Sequence, residues 1–330
     1  MTGTTTASSH REARVPGRGA RAFVLRLVNG DYVARLIVTV AAGFILLVTA
    51  LLVFQLWTNS QLAREKFGWH FLVTRIWDPN AEQFGALPFL YGTCVTSLLA
   101  LVIAVPLGVG AAIFLSEMAP PRLSNVLTFV IELLAAVPSV IYGLLGVFVM
   151  MPLIKAYLHP ALKTTLGWTP LFSGPFYGVS VLAAGIVLAL MILPFIVSVS
   201  RQVLLAVPAD QREGALALGA TKWETTWKVV VPFAQRGIYG SVFLALARAL
   251  GETMAVTMVI GNAPKISASL FSPGYSIAAV IANEFTEATS DLYVQALIEL
   301  GLVLFALTIV INGLARLLVA STSRFSANPA

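Results

Sequence analysis

RQVLLAVPADQREGALALGATKWETTWKVVVPFAQR, residues 201–236, is the stretch on which the reading of this chain turns. It is a polar interruption between two apolar runs, each long enough to cross a bilayer. Its charges, from Arg201, Asp210 and Arg212 to Lys228 and Arg236, keep it out of lipid. The segment also carries helix punctuation. Pro208 suits a first-turn position, Ala209–Leu218 then reads as a short helix, and Gly219 suits a left-handed residue after its C-terminus. Thr221-Lys222-Trp223-Glu224 has the pattern of a capping box and predicts a second short helix ending near Pro232. Two short helices parted by a glycine make a compact knob. Ala215, Leu216 and Leu218 give that knob a small apolar patch suited to a groove on another protein. A loop folded back on its own membrane domain fits the same residues.

Outward from this segment the chain is greasy. Of its 330 residues 58% are hydrophobic and only 11% charged, too few charges to cover a soluble protein of this length. The class is a polytopic membrane protein. The net charge of +6 therefore does not imply nucleic-acid binding, because basic residues of membrane proteins collect in inner loops. Cys94 is the only cysteine, which excludes an intrachain disulfide and a thiolate metal site. His10, His70 and His159 lie far apart in polar segments and read as loop histidines, so no metal site is expected.

Six spans are expected, at about 36–57, 88–115, 126–153, 176–200, 237–261 and 292–320. The first would be roughly 33 Å long, enough for the hydrocarbon core. Continuous apolar runs select helices over a barrel, so the fold class is all-α. Pro106, Pro138, Pro152 and Pro194 fall in or near these spans and can kink them. Residues 1–28, with Arg11, Arg14, Arg18, Arg21 and Arg26, read as a disordered basic cytoplasmic tail, and residues 29–330 as the membrane domain. Phe23–Arg35 suggests a short helix on the inner membrane surface. Arg122, the basic residues of 201–236, Arg316 and Arg324 place the even-numbered connections and both termini in the cytoplasm. The outer loops carry Trp69, Trp77, Trp168 and Tyr275, suited to an interfacial belt or to a docking face for an external partner.

Charges at membrane depth are the next signal. Arg248 and Glu252 fall in the fifth span, Glu132 in the third and Glu299 in the sixth; each costs at least ~2–3 kcal/mol facing lipid, so each must face protein or water. Arg248 and Glu252 are spaced to share one helix face with Ser241, Ala245 and Ala255. Two readings fit. The pair can fix helix packing, or Arg248 can line an anion path, its guanidinium fork matching oxyanions, with Glu252 as gate or counter-ion. Structural roles are expected for Glu132 and Glu299.

Glu213-Gly214-Ala215, Gly219, Val229, Val231 and Pro232 resemble the cytoplasmic signature of permease subunits of binding-protein-dependent ABC importers of the MetI-like type I fold. That signature is Glu-Ala-Ala, three residues, Gly, nine residues, Ile, one residue, Leu-Pro. The chain departs from it at Gly214, Val229 and Val231; a glycine inside the first short helix lowers its propensity by roughly 1 kcal/mol. The resemblance implies that Glu213, Gly214, Ala215, Gly219 and Pro232 belong to a coupling helix seated in a cleft of the ATPase. Three further stretches, Leu87–Thr93, Glu132–Ser139 and Ala247–Ala255, are similar to the C-type permeases of phosphate-specific ABC importers. That similarity runs from about Leu87 to Asn312 and implies a role in phosphate passage for Arg248 and Glu252.

The implied assembly holds a homologous second permease, two ATPase subunits and an extracytoplasmic phosphate-binding protein. This chain contains no G-x-x-x-x-G-K-[ST] phosphate loop, so ATP and magnesium are expected on the ATPase, with no cofactor on this non-catalytic subunit. Other readings are an importer of another oxyanion or solute, a secondary transporter or channel, and, weakest, a membrane enzyme.

Overall fold

The computed structural model describes the backbone of residues 31–325 and the side chains of residues 33–317. The expected basic tail and most of the expected surface helix Phe23–Arg35 lie outside the described residues. The chain divides into two compact units between Gln55 and Leu56. The first is most of helix α1 (Asp31–Thr58), which has no charge after Arg35 and is apolar on every face, as a span solvated by lipid must be.

In the second unit, two short helices, α2 (Gln61–Phe67) and α3 (His70–Val73), precede α4 (Leu87–Met118) and α5 (Pro121–Ala135). Next come α6 (Ser139–Leu166), α7 (Val181–Leu205), α8 (Ala209–Ala217) and α9 (Lys222–Leu250). The chain ends with α10 (Met254–Ile260), α11 (Ile277–Glu284) and α12 (Asp291–Phe325). Among the described residues there is no strand, only an isolated bridge between Asp78 and Gln83. Among the described residues six helices are long and apolar enough to span a membrane: α1, α4, α6, α7, α9 and α12.

Three span boundaries differ from the sequence expectation, and proline chemistry explains two of them. Residues 126–153 do not form one span. Pro138 crowds Val137 out of the helical region, and the chain breaks after Ala135. The 15-residue α5 is therefore a separate helix of about 22 Å, short of the core thickness. Glu132 sits exposed on α5 rather than inside the third span. That span is α6, which runs on past Pro152 and Pro160. Likewise the second helix of the 201–236 segment does not end near Pro232 but continues as α9 to Leu250.

The device that carries a helix through these prolines is the same each time. π-type i→i−5 bonds close from Ala119 to Phe114, Met151 to Gly146, His159 to Ile154 and Val231 to Thr226. Each donor directly precedes a proline: Pro120, Pro152, Pro160 or Pro232. A proline ring collides with the carbonyl four residues back and offers no N–H. Widening the preceding turn by one residue relieves the collision. Except at Pro120, where α4 ends, the helix then goes on. Pro106 and Pro194 lie inside α4 and α7 without such a turn.

The fourth span also moves, from 176–200 to Val181–Leu205, because Ser180 caps α7: its hydroxyl accepts from the Ala183 N–H at 3.1 Å. This helix is the centre of the unit; 72% of its apolar window is buried, against a third or less in the others. Small residues allow the close approach, with Ala100 and Ala104 of α4 and Ala183 and Ala184 of α7 in one buried cluster. Ser200 of α7 and Ser241 of α9 share a 2.7 Å hydrogen bond in the interior, worth about 0.6 kcal/mol by the membrane average.

Candidate functional site

The knob at one end of the bundle has the local chemistry its sequence predicts. Pro208 stands just before α8, as its cap residue rather than in its first turn. At the other end of α8, Gly219 takes φ +88°, a left-handed value. Its N–H reaches the Leu216 carbonyl at 3.0 Å and the Ala220 N–H reaches Ala215 at 3.2 Å, which together close a Schellman motif. The capping box also forms: Glu224 N–H donates to the Thr221 hydroxyl at 3.2 Å, and Thr221 N–H to the Glu224 carboxylate at 3.0 Å. Leu218 is 91% exposed and Leu216 43%, while Ala215 is half-buried and Glu213 and Gly214 are exposed. Pro232 follows on the first turn beyond the π turn.

A clamp missed by the sequence reading ties this knob to the spans. Arg212 of α8 donates through Nε and Nη2 to both carboxylate oxygens of Glu117, at 3.2 and 2.9 Å. It also donates to the carbonyls of Val207 and Leu204, at 2.6 and 2.8 Å. Nearby, Arg201 Nη2 donates to Ser124 Oγ at 3.2 Å, and that hydroxyl donates to the Leu115 carbonyl at 2.8 Å. The ends of α4, α5, α7 and α8 are thus joined by charge-assisted bonds. The available signal was Glu117, a lone acid just past the apolar run of the second span.

The expectation that Arg248 and Glu252 share one helix face is overturned. Helix α9 stops at Leu250, Gly251–Thr253 are non-helical, and α10 starts at Met254, so Ala255 belongs to a different helix from Ser241 and Ala245. The two charged groups form no ion pair among the described residues. Glu252 instead accepts the Ala255 N–H at 3.1 Å, satisfying an orphan donor at the start of α10. Arg248 is exposed on the last turn of α9.

The second break, at Ala136–Pro138, packs beside this one. Gly143 of α6 approaches α10 so closely that a Cβ there would lie 2.6 Å from Met258 Sδ and 3.2 Å from Ala255 Cα. Tyr142 is 7% exposed, donates from its hydroxyl to the Leu134 carbonyl at 2.7 Å across the break, and lies within electrostatic reach of Arg248. Two motifs that are far apart in sequence, 132–139 and 247–255, are therefore one place: two interrupted helices with a guanidinium beside them. Interrupted membrane helices expose backbone groups that can meet a charged solute.

The third motif, 87–93, pins the opposite end. Thr93 Oγ1 accepts the Ile277 N–H at 2.9 Å, and the Tyr91 hydroxyl donates to the Ser267 carbonyl at 2.6 Å. Around them Trp77, Phe84, Phe89, Tyr275 and Tyr293 stack edge to face or in parallel, and the Glu284 carboxylate accepts from Trp77 Nε1 at 2.8 Å and Tyr293 at 2.6 Å. Trp77 and Tyr275 are thus core residues of this end, not belt residues. Burial pushes the Tyr275 phenol up, keeping it protonated, and it accepts from Asn283 at 3.2 Å. Glu299 is 6% exposed and lines, with Arg64 and Trp57, a cavity of about 600 Å³. His159 is no loop residue: it sits in α6, stacked on Phe176 and edge-on to Phe271.

The second unit is thus a bundle of spanning helices that carries an exposed, capped knob. The chain belongs to the family described as binding-protein-dependent transport system inner membrane component, matched over residues 104–324. It is 45% identical to the phosphate transport system permease protein PstC of Mesorhizobium japonicum, over 94% of this chain and 96% of that one. Against PstC of Xylella fastidiosa it is 46% identical, over 92% and 95% of the two chains. A probable PstC of Methanocaldococcus jannaschii is 35% identical over 84% and 90%. Among solved structures, a chain of a bacterial alginate ABC transporter superposes with TM-score 0.57 at 14% identity, covering 94% of this chain and all of that one, which speaks to the fold alone.

Proposed function

We infer that this chain is the transmembrane permease subunit of an ATP-driven importer of inorganic phosphate. It is a multi-pass membrane protein without catalytic chemistry of its own. The observation that carries the substrate is the identity of about 45% to phosphate permeases across nearly the full length of both chains. The chain works with an ATPase and a solute-binding protein, as its family does. In finer detail, we assign it a homologous second permease, two ATPase copies that hold ATP and magnesium, and an extracytoplasmic phosphate-binding protein. Both termini then face the cytoplasm.

Alternating access follows from how the helices connect. The exposed Leu216 and Leu218 on α8 fit a groove on the ATPase, and the signature residues Glu213, Gly214, Ala215 and Gly219 shape that surface. Closure of the ATPase dimer displaces α8. The Arg212–Glu117 clamp passes the displacement to α4. Gly219 and the capping box pass it to α9, a rod of 29 residues and about 43 Å. The far end of that rod carries Arg248 beside the two helix breaks. Arg248 meets the phosphate oxygens in passage, and Glu252 holds the start of α10 rather than binding the anion. The test is uptake of labelled phosphate by vesicles holding the complete complex, with sulfate as competitor. Phosphate uptake that requires ATP and resists sulfate supports the assignment; equal uptake by this chain alone removes it.

A further inference from the structure

Between α9 and α12 lies an open cleft of about 940 Å³ that the transport mechanism leaves unused. Its arginine end lies towards α8, since Ala234 and Ile238 beside Arg236 pack with Leu204 and Val207 just before that helix. Arg236 of α9 and Arg316 of α12 line it, one from each wall. Phe243 on α9 and Ile309 on α12 also line it, and each lies about two turns, roughly 10 Å, deeper along its helix than its arginine. The cleft is therefore charged at one end and apolar towards the other.

Its openness has a cause in the sequence. Gly240 and Gly313 stand on the two walls, and a Cβ at either would meet no atom within 4 Å. The neutral polar residues of the cleft are turned back on their own helix: Thr308 donates to the Leu304 carbonyl at 2.7 Å and Asn312 to the Thr308 carbonyl at 2.9 Å. Among the described residues no carboxylate lines the cleft and neither arginine is in an ion pair. Two guanidinium groups on one rim repel each other unless an anion bridges them.

We propose that this cleft binds a phospholipid with an anionic headgroup from the leaflet on the α8 side. Arg236 and Arg316 hold the phosphate oxygens, each guanidinium offering a fork that matches them, and the acyl chains run over Phe243, Leu244 and Ile309. Free inorganic phosphate has the same headgroup chemistry, but a fully hydrated anion gains nothing from the apolar walls. An amphiphile uses both parts of the cleft. The lipid would brace α9 against α12 from the middle of the rod that carries Arg248.

The experiment uses the complete transporter complex in nanodiscs of mixed phosphatidylglycerol and phosphatidylethanolamine. After extraction, native mass spectrometry counts the lipids retained. Arg236→Gln with Arg316→Gln should lower retained phosphatidylglycerol about tenfold or more, leaving phosphatidylethanolamine unchanged. Gly240→Leu fills the cleft without altering charge, in space that the fold leaves empty, and should have the same effect. The proposal is overturned if both variants keep wild-type phosphatidylglycerol, or if the two lipids are retained equally by the wild type. It is also overturned if millimolar inorganic phosphate strips the lipid, which would make the site one for the free anion. Loss of the second permease from the Gly240→Leu complex with lipid retention untouched would make the cleft a subunit interface instead.

Discussion

Arg212→Met tests the clamp between knob and spans. The substitution keeps most of the side-chain volume and removes four hydrogen bonds, two to Glu117 and one each to Val207 and Leu204. The Leu204 carbonyl keeps a second partner, the Val207 N–H, but Glu117 is left with 10% of its side chain in solvent and no counter-charge. Breaking a fully buried pair costs about 3–5 kcal/mol. The Arg212 side chain is 23% exposed, and screening through that exposure lowers the expected loss to about 2 kcal/mol. At 1.36 kcal/mol per factor of ten, hydrogen exchange of the α8 amides should become about thirtyfold faster. The measurement is exchange mass spectrometry on the complete complex, read on peptides spanning 209–220, with phosphate imported per ATP hydrolysed as the functional readout. Protection of the α8 amides and the phosphate imported per ATP should both fall in the variant, and adding Glu117→Gln to it should cost little more. Protection within threefold of wild type, or unchanged coupling, would refute the clamp.

Arg248→Gln should abolish phosphate uptake while the complex still assembles; normal uptake by an assembled variant takes Arg248 out of the path. Glu252→Gln keeps an acceptor for the Ala255 N–H and should keep the thermal midpoint of the complex, whereas Glu252→Ala loses the cap and about 1 kcal/mol. Equal midpoints for the two would show that the cap is idle. Gly219→Val places a β-branched residue at φ +88°, at a cost of about 1–2 kcal/mol, and should weaken co-purification with the ATPase; unchanged recovery contradicts the role of that turn. Gly92→Ala would put a Cβ 2.1 Å from the Tyr275 carbonyl, so the packing of α4 on that loop must shift, and thermal inactivation should come at lower temperature by at least the equivalent of about 1–3 kcal/mol.

The spans and the knob were legible because they depend on local chemistry. An 18-residue apolar window and a Thr-x-x-Glu box mean the same thing in any fold. Gly219 was readable for the same reason, since the end of a helix asks for a left-handed residue. The helix through Pro232 was not readable. Proline forbids one hydrogen bond, but whether the chain stops or widens a turn depends on apolar packing further along, here Ala234 and Ile238 against Val197 and Leu204. The break at Gly251–Thr253 was hidden by its apolar surroundings, and with it the true setting of Arg248 and Glu252. A four-residue spacing implies a shared face only if the helix is continuous. Glu117 acts through Arg212, 95 residues away, which no window along the chain contains, and Tyr142 bonds across a helix break that its apolar surroundings also hid.

The mechanism stands on the surface of α8 touching the ATPase. The direct measurement is disulfide or maleimide crosslinking from Leu218→Cys, with Cys94 replaced, in the assembled complex. A crosslink to the nucleotide-hydrolysing subunit whose yield changes between nucleotide-free and ATP-bound states is the result expected from a residue 91% exposed on a moving knob. No crosslink in either state, from a complex that still imports phosphate, would contradict it.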